Sequence, residues 1–195
     1  ALLPALYATA AYNCKRGARS IAIFELGPVY HAVEGETLPQ EPVHAAVLLS
    51  GVTRGRWNIP ERAWDFYDIK GFLESVGVFF HREFTFEDLA DNAFQAGQSA
   101  SIKLRKHVLG QAGKVELSVA RSFDLPENTF AFELDLEMLL SKPVPPAQFV
   151  SIPQYPSSLR DLAVVVDKDM PAAQVIKSLT NAGGPLLKEV DVFDV

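Results

Sequence analysis

The stretch TFAFELDLEMLL, residues 129–140, carries the pattern that decides the fold. Residues 129–136 are predicted to form a strand, and EMLLSK directly after it a short helix. Two carboxylates, Glu133 and Asp135, lie within the strand, and Met138 lies in the helix. Together with the other predicted strands, this stretch indicates an α+β domain with a mostly antiparallel sheet.

Upstream of this stretch, the sequence predicts two helices and several strands. Asp65 is a candidate N-cap for the second helix. The helices cover 2–16, with Leu2, Leu3, Leu6, Ala10 and Cys14 on one face, and 66–78, with a buried stripe of Phe66, Ile69, Phe72, Leu73 and Val76. The strands cover 20–31 with a kink at Gly27-Pro28, 43–52, 79–86, and two within 100–118 joined at the GQAG turn of 110–113. The first two strands are expected to pair as a long antiparallel hairpin.

Downstream, the proline-rich segment KPVPPAQ, residues 142–148, predicts a domain boundary. Beyond it we expect a β-α-β unit, with strands at 160–167 and 187–195 around a helix at 171–182. The predicted domains are therefore residues 1–148 and residues 149–195.

The composition limits the function classes. An apolar fraction of 48% permits a sizeable core, and a net charge of −6 argues against a whole-surface nucleic-acid binder while allowing a local basic patch. Cys14 is the single cysteine, which excludes an internal disulfide and a cysteine metal cluster and indicates a reducing compartment. Its place on an apolar helix face predicts a small core residue rather than a nucleophile. No apolar run approaches the roughly 20 residues of a membrane span.

The start of the chain indicates a fragment. There is no initiator methionine, and the first residues already have the character of a helix interior. The charges follow the apolar part of this stretch, so it is not a signal peptide.

Sequence motifs for catalysis or metal binding are missing. The chain has no Gly-x-Ser-x-Gly elbow, no phosphate loop of the Walker kind and no dinucleotide fingerprint. The histidines at 31, 44, 81 and 107 lack the spacing of metal ligands and are predicted to be surface or edge residues.

Basic residues offer candidates for RNA contact. The two clusters are Lys15, Arg16 and Arg19, and Lys103, Arg105, Lys106 and His107, where alternation places Lys103 and Arg105 on one strand face. A solvated face is the alternative that we favour for them. At a third place, Arg54 and Arg56 beside Trp57 could stack on a base or pair across a subunit interface. Here we favour a loop that packs its tryptophan inward.

Five motifs occur in a family's order and at its separations: IAIFELGPVYH, DFYDIKGFLESVGV, FQAGQSASI, TFAFELDLEMLL and YPSSLRDLAVVVD. Together they resemble the C-terminal part of the beta subunits of bacterial phenylalanyl-tRNA synthetases, and the resemblance covers nearly the whole chain. It implies a class II synthetase-like core with flanking helices, followed by the start of a ferredoxin-like anticodon-binding domain.

The resemblance also implies that this core is inactive. In that family the alpha subunit carries the aminoacylation site, in a cytoplasmic α2β2 heterotetramer that uses ATP and magnesium to charge tRNA(Phe). Glu133 and Asp135 stand where class II cores have glycines that admit ATP, and Met138 where an arginine would meet it. We therefore expect no catalytic, ATP-binding or metal-binding residue in this chain. Helices 2–16 and 66–78 are the candidate contacts with the alpha subunit.

The chain departs from the family's pattern at two places. Gln95–Ala100 replaces a His-Pro-Gly-Arg-Ser-Ala sequence, and Val115–Val119 replaces Gly-Glu-Leu-His-Pro. Any contact that depends on the missing histidines or arginine is therefore not carried over, while the strand pattern remains.

The second domain is expected to be incomplete. In a ferredoxin-like fold the first two strands are parallel but not adjacent, and the third belongs between them. The tail is thus predicted to be mobile, to pack on the larger domain or to pair with another chain, because Val175, Ile176 and Leu179 of its helix have little to cover. Arg160 and Asp161 either cap the first strand, contact the preceding domain or form a solvated pair. Arg160, Lys103 and Arg105 are the candidates for tRNA contact.

Two other functions remain open at this point. An active acyl-adenylate-forming ligase, like those for biotin or lipoate, would use the same core but would need a positive phosphate clamp. A free-standing regulatory paralogue would use the domain without its partner. The non-catalytic part of a phenylalanine–tRNA ligase is the interpretation that the sequence favours.

Overall fold

A computed structural model describes residues 1–89, 93–141, 149 and 151–193. The chain divides into two compact units, Ala1–Ala147 and Gln148–Val195. The predicted boundary segment 142–148 lies outside the described residues.

The first unit is built on a six-stranded antiparallel sheet, which confirms the predicted fold class. Its strands are β1 (Ser20–Pro28), β2 (Val43–Gly51), β3 (Thr85–Asp88), β4 (Phe94–Leu104), β5 (His107–Val115) and β6 (Thr129–Asp135), in the order β1-β2-β6-β5-β4-β3. Its helices are α1 (Leu3–Cys14), α2 (Phe66–Phe79), α3 (Leu117–Ser122) and α4 (Leu136–Leu140). The predicted hairpin of the first two strands is present, with Ser20 opposite Gly51.

The sheet carries a separate core cluster on each face, because alternate residues of a strand point to opposite sides. One cluster joins α1 to Ala46, Leu48 and Ala131. The other joins α2 and α4 to Leu49 and to the buried residues Phe130, Phe132 and Leu134. Cys14 packs beside the first cluster, and burial raises the pKa of its thiol.

The buried stripe of α2 is narrower than predicted. Ile69 and Leu73 are fully buried, and Phe66 and Val76 pack against them. Phe72 is 46% exposed, because at 100° per residue it lies on the edge of this stripe. The predicted strand 79–86 is also displaced along the chain, since α2 continues to Phe79 and β3 begins only at Thr85.

The predicted GQAG turn is wrong, because Gly110–Gly113 lie inside β5. The β4–β5 turn is formed instead by Arg105 and Lys106, with Arg105 in the left-handed region at φ 56°. The glycines serve close packing: a Cβ at Gly110 would lie 2.0 Å from the carbonyl oxygen of Glu133, on β6.

Helix α2 begins with the predicted cap. The Asp65 carboxylate accepts hydrogen bonds from Tyr67 N and Asp68 N, and the Asp68 carboxylate accepts one from Asp65 N at 3.0 Å, which completes a capping box. Arg62 Nη1 donates to Asp68 Oδ2 at 2.7 Å, and this bond holds the pKa of Asp68 below its usual value.

Replacing Asp68 with asparagine is expected to lower the free energy of unfolding at neutral pH by about 1 kcal/mol, through the lost charge opposite Arg62. Because the folded pKa is depressed, the stabilisation by the carboxylate is present above the unfolded value of 3.8 and is lost as the pH falls through the folded pKa. Urea unfolding of the parent protein and of the Asp68→Asn variant, at neutral pH and at a pH below the folded pKa, measures the difference in the free energy of unfolding. An equal difference at the two pH values would contradict it.

The second unit contains the predicted helix, here α5 (Ala172–Gly183), followed by a short 3-10 turn at Gly184–Leu186. The strands predicted at 160–167 and 187–195 are not formed over the described residues, which end at Phe193. A parallel, non-adjacent pair needs a third strand between its members, and no described residue supplies one. Accordingly, α5 has no buried residue, and Val175, Ile176 and Leu179 are only partly covered.

Among the described residues, no helix has both the length and the apolar character that a bilayer crossing requires.

Candidate functional site

Strand β6 and helix α4 carry Glu133, Asp135 and Met138, the three residues that the family resemblance implies for the class II nucleotide position. Phe130, Phe132 and Leu134 fill the core cluster beneath α2 and α4. Glu133 and Asp135 alternate with them and therefore project toward the opposite face of the sheet, where α1 lies.

Glu133 contacts the N-terminus of α1 rather than open solvent. Its Oε2 accepts hydrogen bonds from Leu2 N at 2.9 Å and from Leu3 N at 3.4 Å. Its Oε1 lies 2.9 Å from Nδ1 of His44 on the neighbouring strand β2. Both side chains are only 15% exposed. The carboxylate thus joins the central strand β6 to α1 across the sheet.

The first turn of α1 explains why this contact is needed. Pro4 has no N–H, and Ala5 N donates to Leu2 O at 3.2 Å. Leu2 and Leu3 therefore present the amides that need an external acceptor, and the helix has no side-chain cap of its own. A negative charge at this position also complements the helix dipole.

Tyr7 lies buried on the same helix. Burial raises the pKa of its phenol well above the usual range, and the negative charge of Glu133 adds to the shift. Tyr7 therefore stays neutral, and its ring packs against Phe123 with centroids 5.4 Å apart.

Asp135 and Met138 line a cavity of about 550 Å³ at the end of β6. The Asp135 carboxylate accepts a hydrogen bond from Met138 N at 2.7 Å and so caps α4. The other lining residues are His31, Gln40, Glu41, Pro42 and Glu137. Glu41 and Glu137 bring the number of carboxylates in the lining to three, together with Asp135.

These residues do not fit ATP. Over the part of the chain that the structure describes, neither lysine nor arginine lines the cavity. A triphosphate here would meet carboxylates, and each like-charge contact at about 4 Å costs on the order of 4 kcal/mol at an intermediate effective dielectric. The arrangement is suited to holding helix ends in place.

Sequence reasoning missed His44, which the spacing of the histidines predicts to be a surface or edge residue. His31, His81 and His107 are exposed, whereas His44 is largely covered by its contact with Glu133. Strand alternation alone could have placed His44 and Glu133 in a sheet, but no local signal pairs residues 89 positions apart. Among the described residues, no cluster of three or more metal-ligand side chains is present.

A second cavity, of about 480 Å³, lies between the start of α2 and strands β3 and β4. Phe66, Phe86 and Phe130 contribute aromatic walls, and Gly97–Ala100, from the stretch that departs from the family's pattern, form part of its lining. Three carboxylates line it, those of Asp65, Glu87 and Asp88. Asp65 is bonded to the α2 cap, and Glu87 is bonded to Lys103.

The three candidates for tRNA contact lie on different elements of the chain. Lys103 lies on β4 and forms an ion pair with Glu87. Arg105 lies in the following turn, so the prediction that alternation places it on one strand face with Lys103 is wrong. Arg160 belongs to the second unit, where it is exposed.

The first basic cluster is occupied by local contacts. Lys15 pairs with Asp124 at 2.9 Å, Arg19 with Glu61 at 3.6 Å, and the Arg16 guanidinium lies 3.4 Å from the ring centroid of Tyr12. By contrast, the prediction that Trp57 packs inward is wrong, because this residue is 97% exposed.

Two family models match the chain. Residues 1–136 match the model described as the phenylalanyl tRNA synthetase beta chain CLM domain, and residues 153–195 match the ferredoxin-fold anticodon binding domain.

Curated relatives align over the full chain. It is similar to the phenylalanine–tRNA ligase beta subunits of Symbiobacterium thermophilum, at 36% identity over 100% of this chain and 22% of the relative, and of Bacillus licheniformis, at 38% identity over 100% and 24%. The chain therefore spans less than a quarter of the length of these relatives.

Among solved structures, the chain is similar to a pyrrolysyl tRNA synthetase from Desulfitobacterium hafniense, with a TM-score of 0.54 and 15% identity over 72% of this chain and 46% of that one. At this identity the match supports the class II synthetase-like fold alone.

Proposed function

The chain belongs to the phenylalanyl-tRNA synthetase beta chain family, and from this premise we propose that it is a non-catalytic structural part of a phenylalanine–tRNA ligase. In this proposal, residues 1–148 form the inactive class II-like core, and residues 149–195 form the first half of the anticodon-binding domain. The core supports an alpha subunit, and both domains contribute to binding of tRNA(Phe).

The nucleotide position itself supports this proposal. Glu133 accepts hydrogen bonds from the first amides of α1, and Asp135 caps α4. Both carboxylates thus contribute to the fold at positions where a nucleotide pocket would need glycine. Met138 offers no cation at the position of the class II arginine. A stand-alone acyl-adenylate-forming ligase is not favoured, since its phosphate clamp has no counterpart among the described residues of this cavity.

The partners follow from the family. We propose that the alpha subunit supplies the aminoacylation site together with ATP and magnesium, in a cytoplasmic α2β2 assembly. The helices α1 and α2 are the proposed contacts with it. No catalytic or metal-binding residue is assigned to this chain.

Arg105 and Arg160 are the stronger of the proposed tRNA contacts, because both are exposed. Lys103 is the weaker one, since its ammonium group is paired with Glu87. Phosphate contacts of this kind add affinity without reading sequence.

The proposal predicts that the full chain gives no binding heat with magnesium–ATP in titration calorimetry. The carboxylates of the cavity repel the phosphates, and the thioether of Met138 cannot pair with them. The proposal further predicts that the chain elutes with the alpha subunit in size-exclusion chromatography. The full-length beta subunit serves as the positive control for that assembly. Micromolar ATP binding, or failure of this chain to assemble where the full-length subunit succeeds, would overturn the proposal.

A further inference from the structure

Residues 52–63 form a hydrogen-bonded projection, which we name the Trp57 finger. At its base, Val52 pairs with Ala63 in an antiparallel bridge, and Thr53 N donates to Arg62 O at 2.7 Å. At its tip, Arg56 N donates to Ile59 O at 2.8 Å, and Ile59 N donates back to Arg56 O at 3.1 Å. These bonds close a two-residue turn and hold the finger in one shape.

The closed turn consists of Trp57 and Asn58, so the indole is presented at the very tip. Trp57 is 97% exposed, so both faces of its ring are open to a ligand. Trp64, directly after the finger, packs against the core cluster beneath α2 instead. An indole held out by a bonded turn loses little conformational freedom when it binds.

Over the described residues, two of the three arginines in the finger form no salt bridge. Arg62 is bonded to Asp68, and Glu61, the single carboxylate of the finger, pairs with Arg19 at 3.6 Å. Arg54 and Arg56 are exposed and, among the described residues, form no salt bridge. The tip is therefore cationic on a chain of net charge −6.

We propose that the Trp57 finger binds single-stranded RNA, with a base stacked on Trp57 and the adjoining phosphates paired with Arg54 and Arg56. An apolar partner would cover the indole but bury the two guanidinium groups without counter-charge, which is unfavourable. A simple acidic peptide would pair with the arginines and leave the indole unused. A nucleotide chain supplies a flat ring and an anion in each repeating unit, which matches both features.

This site uses none of the candidates Lys103, Arg105 and Arg160, and the inference rests on the proposed function only for the choice of RNA as ligand. RNA binding at Trp57 is measured on this chain alone, without ATP or the alpha subunit. If the chain assembles with the alpha subunit but shows no RNA contact at Trp57, only the proposal of RNA binding by the finger is overturned. RNA contact at Trp57 in a chain that fails to assemble overturns the proposed function alone.

The test uses the two tryptophans as internal probes. A short oligouridylate added to the full chain at low salt is expected to quench the indole emission to saturation. The quenching should persist in W64F and disappear in W57F, because Trp57 is exposed and Trp64 packs on the core. In R54Q/R56Q the affinity should fall by roughly tenfold, and the slope of log affinity against log salt should decrease by about 1.4, the value for two lost single-strand phosphate contacts.

K15Q/R121Q is the matched control, since it removes two positive charges that are paired with Asp124 and Glu127 elsewhere. Its affinity is expected to stay within about twofold of the parent, as exposed pairs of this kind contribute little. The proposal is overturned if oligouridylate causes no saturable quenching, or if the control loses as much affinity as R54Q/R56Q. It is also overturned if an acidic peptide of equal charge quenches Trp57 as strongly, which would assign the finger to a protein partner.

Discussion

Replacing Glu133 with alanine is expected to lower the free energy of unfolding by about 2–3 kcal/mol, because it leaves Leu2 N and Leu3 N without an acceptor and removes the partner of the largely buried His44. Urea denaturation followed by circular dichroism measures the loss. Hydrogen exchange should show the earliest opening in the first turn of α1, 131 positions away in sequence from the substitution.

The control for this variant is Glu137→Ala, which removes an exposed carboxylate from the same end of β6. Its effect should stay within about 0.5 kcal/mol, as for most surface positions. The loss in the free energy of unfolding for Glu133→Gln is expected to lie between those of the two alanine variants. Glutamine keeps an acceptor for the amides but loses the charge. Equal stabilities of Glu133→Ala and Glu137→Ala would show that the contact of Glu133 with α1 does not stabilise the fold.

The second large effect is expected from Gly110→Ala in β5. The added methyl group would lie 2.0 Å from the carbonyl oxygen of Glu133 and 3.0 Å from the Cα of Leu134. Both are backbone atoms of β6, so relief requires β5 and β6 to separate. We expect a loss of about 3 kcal/mol or more in the free energy of unfolding, measured by thermal and chemical denaturation.

Gly71→Ala is the matched control, because it makes the same chemical change in the interior of α2. A Cβ at Gly71 meets no atom within 4 Å, and alanine is the better helix former. This variant is therefore expected to gain about 0.5–1 kcal/mol in the free energy of unfolding. If both alanine variants were destabilised alike, close packing of β5 on β6 would not be the reason for the glycine at 110.

The elements of the first unit could largely be predicted from local patterns. The N-cap at Asp65, the hairpin of β1 and β2 and the strand-to-helix junction at β6 all depend on neighbours within a few residues. The turn at Arg105 was missed because glycine is the usual residue for a left-handed backbone, and here glycine serves close packing instead. The strands predicted in the second unit depend on a pairing partner, which no local pattern reveals.

The candidate site could be predicted only in part from the sequence. The resemblance to class II cores assigned Glu133, Asp135 and Met138 to the nucleotide position. Their structural roles could not be assigned from it, because the bond from Glu133 to α1 joins residues at opposite ends of the first unit. The inward packing predicted for Trp57 was wrong for a related reason. The composition of its loop does not distinguish a loop that folds inward from one that closes on itself.

The two edges of the sheet differ in how well they resist self-association. Edge strand β3 has four residues and carries the carboxylates of Glu87 and Asp88, which discourage an incoming strand. Edge strand β1 has nine residues, and no described strand pairs with its outer side. Only Pro28 within it lacks a backbone donor, so β1 is a template onto which a second molecule can add in register. Crowded preparations of this chain would therefore begin to aggregate at β1, beside the exposed Phe24 and Leu26.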